Sequence, residues 1–233
     1  APPPGAPFPT RAVRGSEWVR VLDEQITDKL KWTDVPVEDW KIGGRASKAN
    51  PDRENLAFWQ EEGLRQTEAY IAWLRANGWQ IATMPDGKPG IAWEAQVQVG
   101  GSPIRLVVDA IYEVAGEWVI VDYKSGTKTP SAILQLALYA SAIERAYGRR
   151  PKWGAFYMSR KAELTPLADL SVWSGSFIDY NFEAMNAYQA TGYYPPVLGD
   201  HCEYRCSVSD YCIAKNGSKA KDYPLVTPTK ENR

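Results

Sequence analysis

Arg105-Leu-Val-Val-Asp109-Ala-Ile-Tyr-Glu-Val114, then Ala115-Gly116, then Glu117-Trp-Val-Ile-Val-Asp122-Tyr-Lys124 reads as two strands joined by a tight turn. Both runs are rich in β-branched and aromatic residues, and the pair between them carries the glycine of a hairpin signal. If Ala115-Gly116 is a two-residue loop, Val114 faces Glu117, and counting back sets Asp109 opposite Asp122. Opposed residues share a face, with Cβ atoms roughly 4.5–5.5 Å apart, and like charges there repel. Lys124 follows Asp122 by two, so its ammonium shares that face about 7 Å further along. A divalent cation such as magnesium, bound through oxygen, would complete the neutralisation. Alanine is a poor residue for the positive φ of a type I′ turn, so a type I turn with a glycine bulge is the alternative loop.

After Lys124 the sequence Ser125-Gly-Thr-Lys-Thr129-Pro130 reads as a turn, with Thr129 as N-cap and Pro130 at the first helical position. In the helix that follows, Gln135 and Tyr139 lie four apart and share a face amid Ile133, Leu134, Leu136, Leu138 and Ile143. A buried amide or phenol there needs a partner.

The ordered set Asp109, Asp122-Tyr-Lys124, Gln135-Leu-Ala-Leu-Tyr139 resembles the active site of the PD-(D/E)XK nuclease superfamily, most closely its RecB-like exonuclease branch. The resemblance covers roughly Leu56 to Cys212. It implies that Asp109 and Asp122 bind a metal ion, that Lys124 positions or activates the attacking water, and that Gln135 and Tyr139 belong to the same catalytic group. One departure is that Val107 and Val108 precede Asp109, where many relatives carry a glycine. The implied fold is α/β, a restriction-endonuclease-like core with a central mixed β-sheet flanked by helices in α-β-β-β-α-β order.

Composition bounds this reading. The 233 residues, 44% hydrophobic, suffice for a full core in one domain. We expect a proline-rich tail over 1–15, a single nuclease domain over 16–216 and a polar tail over 217–233. A net charge of -1 and a pI near 6.0 do not advertise nucleic-acid binding. A basic run of Arg145, Arg149, Arg150, Lys152, Arg160 and Lys161 could still follow a phosphate backbone, or be a solvated surface. Ten Trp and thirteen Tyr offer either base-stacking platforms or core. No apolar run approaches a membrane span and the opening lacks a signal-peptide layout, so the expected location is cytoplasmic.

Further along the chain, helices are expected over Ser16–Trp32, Pro51–Asn77 and Phe177–Thr191, and strands over Ile91–Val99 and Trp153–Ser159. Lys41 to Asp52 reads as a loop. Relatives often draw a further ligand from the helix matching Pro51–Asn77, a glutamate or a histidine. The only histidine here is His201, and of the helix's carboxylates Glu62 borders the apolar stripe beside Trp59 and Gln66. Glu62 is thus a candidate ligand or a solvated glutamate, and Glu94, on its strand, a candidate ligand or one half of an ion pair.

His201-Cys202-Glu-Tyr-Arg-Cys206-Ser-Val-Ser-Asp-Tyr-Cys212 gathers all three thiols and the imidazole, too few for a disulfide framework. Cys202, Cys206 and Cys212 suggest a metal group. Some RecB-like nucleases, and the CRISPR-adaptation nucleases similar to them, hold an iron-sulfur cluster with four cysteines. With one thiol short, the options are an iron-sulfur cluster with another fourth ligand, zinc with His201, or no metal. The expected function is that of a magnesium- or manganese-dependent DNA exonuclease of recombination, repair or phage DNA metabolism. Its partners would be single- or double-stranded DNA, including ends, and recombination or replication proteins, with no membrane. The alternative is a non-catalytic nucleic-acid- or partner-binding subunit that keeps the fold.

Overall fold

The structure, a computed structural model, describes residues 10–37, 40, 54–130, 133–192 and 209–221. The chain divides into two compact units, Ala1–Asn181 and Phe182–Arg233. In the first, helix α1 (Arg11–Leu30) opens inside the stretch expected to be a tail, where the Thr10 hydroxyl accepts the Val13 N–H at 3.4 Å. Helix α2 (Leu56–Asn77) starts at Asn55, which caps the Phe58 N–H at 2.9 Å, and stops at Gly78, whose φ of 65° only glycine adopts at little cost. Trp18 of α1 lies on Gly63 of α2, where a Cβ would come within 2.0 Å of the indole. The same indole N–H reaches the carbonyls of Trp59 and Gln60 at 3.2 and 3.0 Å.

Strands β1 (Gln80–Ile81), β2 (Ile91–Val99), β3 (Ser102–Val114) and β4 (Glu117–Lys124) precede helix α3 (Leu134–Tyr147), strands β5 (Trp153–Met158), β6 (Glu163–Leu164) and β7 (Ala168–Asp169), and helix α4 (Gly175–Thr191). The sheet runs β1-β3-β4-β5-β6, with β2 also paired to β3 and β7 to β5. Sequential strands β2, β3 and β4 pair antiparallel, whereas β4 and β5 are parallel, as strands joined through a helix must be able to be. This is the mixed, helix-flanked sheet expected, with the two-residue strands added. Helix α3 begins at Leu134 with Ile133 as N-cap, not at Pro130, because the Ser125–Pro130 turn leaves the strand without entering a helix.

Each sheet face has its own core. Leu136, Ala140 and Ile143 of α3 pack with Trp118, Ile120, Phe156 and Met158 on one side. Tyr70, Trp73 and Leu74 of α2 cover Ala110, Tyr112, Val119, Val121 and Tyr157 on the other. Burying a side chain such as Ile120 or Leu136 completely contributes about 1.5–3 kcal/mol.

The β3–β4 hairpin has the register Val114↔Glu117 through Ala110↔Val121. Its loop is the two-residue form, with φ of 51° at Ala115 and 80° at Gly116, so the alternative glycine-bulge loop is not adopted. Beyond it the alternation of β3 reverses. Leu106, Val108 and Ile111 lie on the α3 side and Ala110 and Tyr112 on the α2 side, so one step between 108 and 111 is out of phase. The break falls at Asp109, and across the ladder Ala92, between the pairs Ile91↔Ala110 and Trp93↔Val108, has a φ of 46°. Both strands thus exchange faces at one step.

In the second unit, residues 209–221 form two 3-10 turns around helix α5 (Ile213–Asn216), tied by the Asn216 amide on the Ser209 carbonyl at 2.6 Å and a Lys221–Asp210 ion pair at 2.7 Å.

Candidate active site

Strand β4 alternates cleanly at its end. Ile120 faces α3, so Asp122 and Lys124 do too, while Tyr123 faces α2 beside Tyr157. Asp122 is 3% exposed at its side chain and Lys124 30%. Lys124 Nζ stands 2.6 Å from Asp122 Oδ2 as an ion pair. The same ammonium donates to Gln135 Oε1 at 3.2 Å, and the Gln135 amide donates to the Tyr139 hydroxyl at 2.8 Å. Residues on β4 and on the first turns of α3 are therefore one connected chain: carboxylate, ammonium, amide, phenol.

Asp109 joins from β3. The ladder stops one pair short of Asp109 and Asp122, and there the Asp109 carboxylate accepts the Tyr123 N–H at 2.8 Å. The face exchange at Ala92 lies beside Asp109, and such irregular steps recur beside active sites. Burial pushes the Asp122 carboxyl above the ordinary carboxylate range; Lys124 opposes this and the nearby Asp109 adds to it. Burial likewise raises the Tyr139 phenol, which feels both aspartates.

Two carboxylates, one of them buried, against a single ammonium make an acceptor-rich and underneutralised set. That donor chemistry fits a hard divalent cation, which takes carboxylate oxygens and water. Asp109 and Asp122 are the residues that would hold it.

The remaining candidates are placed elsewhere. Glu62 accepts from Arg65 at 2.7 Å and from the Gln66 amide at 2.8 Å, and Arg65 first, then the Gln66 bond, holds its carboxyl low against the pull of burial. Glu94 is 58% exposed and pairs across the ladder with Arg105 at 3.1 Å. No group of three or more His, Cys, Asp or Glu placed to hold a metal occurs among the described residues. The basic run is not a free track. Arg145 pairs with Asp179 at 2.7 Å, Arg150 with Glu144 at 2.7 Å and Lys161 with Glu163 at 3.7 Å. Arg149 lies over Trp118, Lys152 over Trp153, and Arg160 is held by Glu54 at 2.6 and 2.7 Å. Cys212 is a free thiol; His201, Cys202 and Cys206 lie outside the described residues.

Sequence reasoning missed Tyr123 and its partners. The hydroxyls of Tyr70, Tyr112 and Tyr123 form a closed ring, Tyr123 lying 2.8 Å from Tyr70 and 2.7 Å from Tyr112. It fastens the far side of the Asp122–Lys124 step to α2 and β3. Burial pushes the Tyr112 and Tyr123 phenols far up, so the ring stays protonated. The available signal was their strand parity, which puts Tyr112 and Tyr123 on one face.

Over residues 24–213 the sequence matches the family model of the PD-(D/E)XK nuclease superfamily. The chain belongs to that superfamily. Its members generally use divalent metals such as magnesium or manganese. Among similar proteins, the Gene 69 protein of Mycobacterium phage D29 is 33% identical over 156 residues, covering 64% of this chain and 57% of the relative. The Gene 69 protein of Mycobacterium phage L5 is 31% identical over 175 residues, covering 64% of this chain and 60% of the relative. The matched part of the chain therefore spans less than two thirds of these curated relatives. Among the described residues no helix is long and apolar enough to cross a membrane.

Proposed function

We propose that the chain is a magnesium- or manganese-dependent deoxyribonuclease, acting as an exonuclease in phage DNA metabolism or in recombination and repair. The observation that carries this is the continuous chain Asp122–Lys124–Gln135–Tyr139 with Asp109 held against the Tyr123 backbone. When bound, the ion would polarise the scissile phosphate and lower the pKa of water. Lys124, oriented by the Gln135 carbonyl, stands where it can hold the attacking water and stabilise the negative charge developing on phosphate. Tyr139 fixes the amide of Gln135 and so fixes which of its ends meets the ammonium. The RecB-like assignment within the superfamily and the exonuclease mode rest on the Gln135–Tyr139 spacing after Asp122 and Lys124.

The test is cleavage of end-labelled single- and double-stranded DNA with either metal. Wild type is expected to cleave and Lys124→Ala to lose about 100-fold or more; equal inertness of the two ends the enzyme reading. A second reading, a nucleic-acid-binding subunit without catalysis, is favoured by the convergence of only two carboxylates among the described residues. Calorimetry with manganese separates them. A nuclease binds the ion in a way that Asp109→Asn abolishes, whereas a binding subunit keeps its DNA affinity through that change.

A further inference from the structure

Lys124 has a third neighbour besides Asp122 and Gln135. Its ammonium lies over the ring of Phe156, 5.5 Å from the ring centre, inside the ~6 Å reach of a cation–π contact. Phe156 is the residue of β5 that stands beside Asp122 in the parallel ladder, so both side chains project toward α3. The ring is fixed through its own backbone, since the Phe156 N–H donates to the Thr165 hydroxyl at 3.0 Å and its carbonyl accepts the Thr165 N–H at 2.9 Å. Two residues earlier Gly154 leaves room for α3: a Cβ there would come within 3.3 Å of Leu136, the neighbour of Gln135. Strand β5 and helix α3 thus present a ring and an amide carbonyl to one ammonium.

What the ring contributes follows from the donors of Lys124. An ammonium carries three N–H groups at the end of a flexible four-carbon stem. Asp122 Oδ2 at 2.6 Å and Gln135 Oε1 at 3.2 Å occupy two directions. An oxygen acceptor in the place of Phe156 would take the third, and an aliphatic side chain would exclude water without attracting the charge. The face of a phenyl ring attracts the cation as a whole and claims no particular N–H. Phe156 is buried, and a cation–π contact is worth most where water is excluded. The partners also differ in allegiance: Asp122 is claimed by the ammonium and by the expected metal ion, whereas Gln135 and Phe156 hold the ammonium alone.

We infer that Phe156 is a positioning residue of the reaction, whose ring holds the Lys124 ammonium in place while one N–H stays available to the attacking water or the scissile phosphate; the inference rests on the nuclease reading of Lys124. Phe156 touches neither substrate nor metal and acts through the lysine.

The test replaces Phe156 in the full chain with mono-, di- and trifluorinated phenylalanine. These rings keep nearly the same shape while each fluorine drains negative charge from the face, so the packing stays and the hold on the cation weakens stepwise. With end-labelled DNA and manganese, kcat is expected to fall at each step, by about 3–30-fold at the trifluorinated ring, with KM for DNA little changed. Phe156→Leu, apolar but without a ring face, should lose at least as much. A second readout needs neither metal nor DNA. In NMR spectra of the metal-free protein, the ε-methylene protons of Lys124, identified by their loss in Lys124→Arg, should be shifted upfield by the ring current and return toward their usual position in Phe156→Leu. Full rates throughout the fluorinated series in an active enzyme overturn the inference, even if Phe156→Leu is slow, because the ring then serves packing alone. Lys124 protons without the upfield shift overturn it as well. A wild type that leaves DNA uncut while the shift is present fails the nuclease reading instead: the contact stands, and the role in the reaction falls with that reading.

Discussion

Asp122 carries a charge where burial opposes one, and Lys124 only partly offsets this. Its proton is held more tightly in the folded protein than in the unfolded chain. The carboxyl's contribution to stability therefore falls as the pH rises from the ordinary 3.8 through the raised value. In metal-free buffer, urea unfolding from pH 4 to 7 should show this fall in wild type and its absence in Asp122→Asn. Magnesium or manganese should reverse it by favouring the carboxylate, and an unchanged profile with metal would count against Asp122 as a ligand. Gln135→Ala tests positioning without removing a charge. Lys124 keeps Asp122 but loses the acceptor that orients it, so kcat is expected to drop about tenfold or more with KM little changed.

At the scale of elements, the β3–β4 turn holds an alanine in the left-handed region, which costs roughly 1–2 kcal/mol for a residue with a Cβ. Ala115→Gly or Ala115→Asn should therefore stabilise the protein by about 0.5–1 kcal/mol in urea unfolding, with cleavage unaltered. The hairpin was legible in the sequence because strand parity and a two-residue loop leave one register, and that register put Asp109 across from Asp122. The pairing of Gln135 with Lys124 was legible only as helix spacing. The start of α3 was not, because Thr129-Pro130 carries the local chemistry of a helix start while the helix opens at Leu134, with Ile133 as its N-cap. Nor was the fate of Glu94 and Glu62. Whether a carboxylate meets a metal or an arginine depends on Arg105 and Arg65, which propensity does not weigh.

Across the whole molecule, two cores share one sheet, and β3, β4 and β5 belong to both. Amides of Ile111, Tyr112, Ile120, Val121 and Phe156 should be the last to exchange, and α1, which meets α2 through Trp18 on Gly63 and through Arg11 and Arg14 on Glu68, among the first. A separate tie binds the opening of α4 to the body of the first unit. Asp179 accepts from the Gly100 N–H at 2.9 Å and from Arg145 at 2.7 Å. Burial pushes its carboxyl up, but these two donors outweigh it and hold it low. Its stabilisation is thus present at neutral pH and lost as the pH falls through the lowered value. Asp179→Asn should cost about 1–3 kcal/mol at pH 7 and little in acid. Bulk composition foretold none of this, because a net charge of -1 does not say which carboxylate meets which cation.

The crossed step at Ala92 and Asp109 separates shape from chemistry. Ala92 has no functional group, yet its left-handed backbone lies across the ladder from the strand step that carries Asp109. A β-branched residue resists that backbone conformation where glycine accepts it. Ala92→Val should leave every candidate ligand present and still weaken manganese binding in calorimetry, while Ala92→Gly should bind as wild type does. A valine variant with undiminished ion affinity would mean that Asp109 owes its aim to β4 alone.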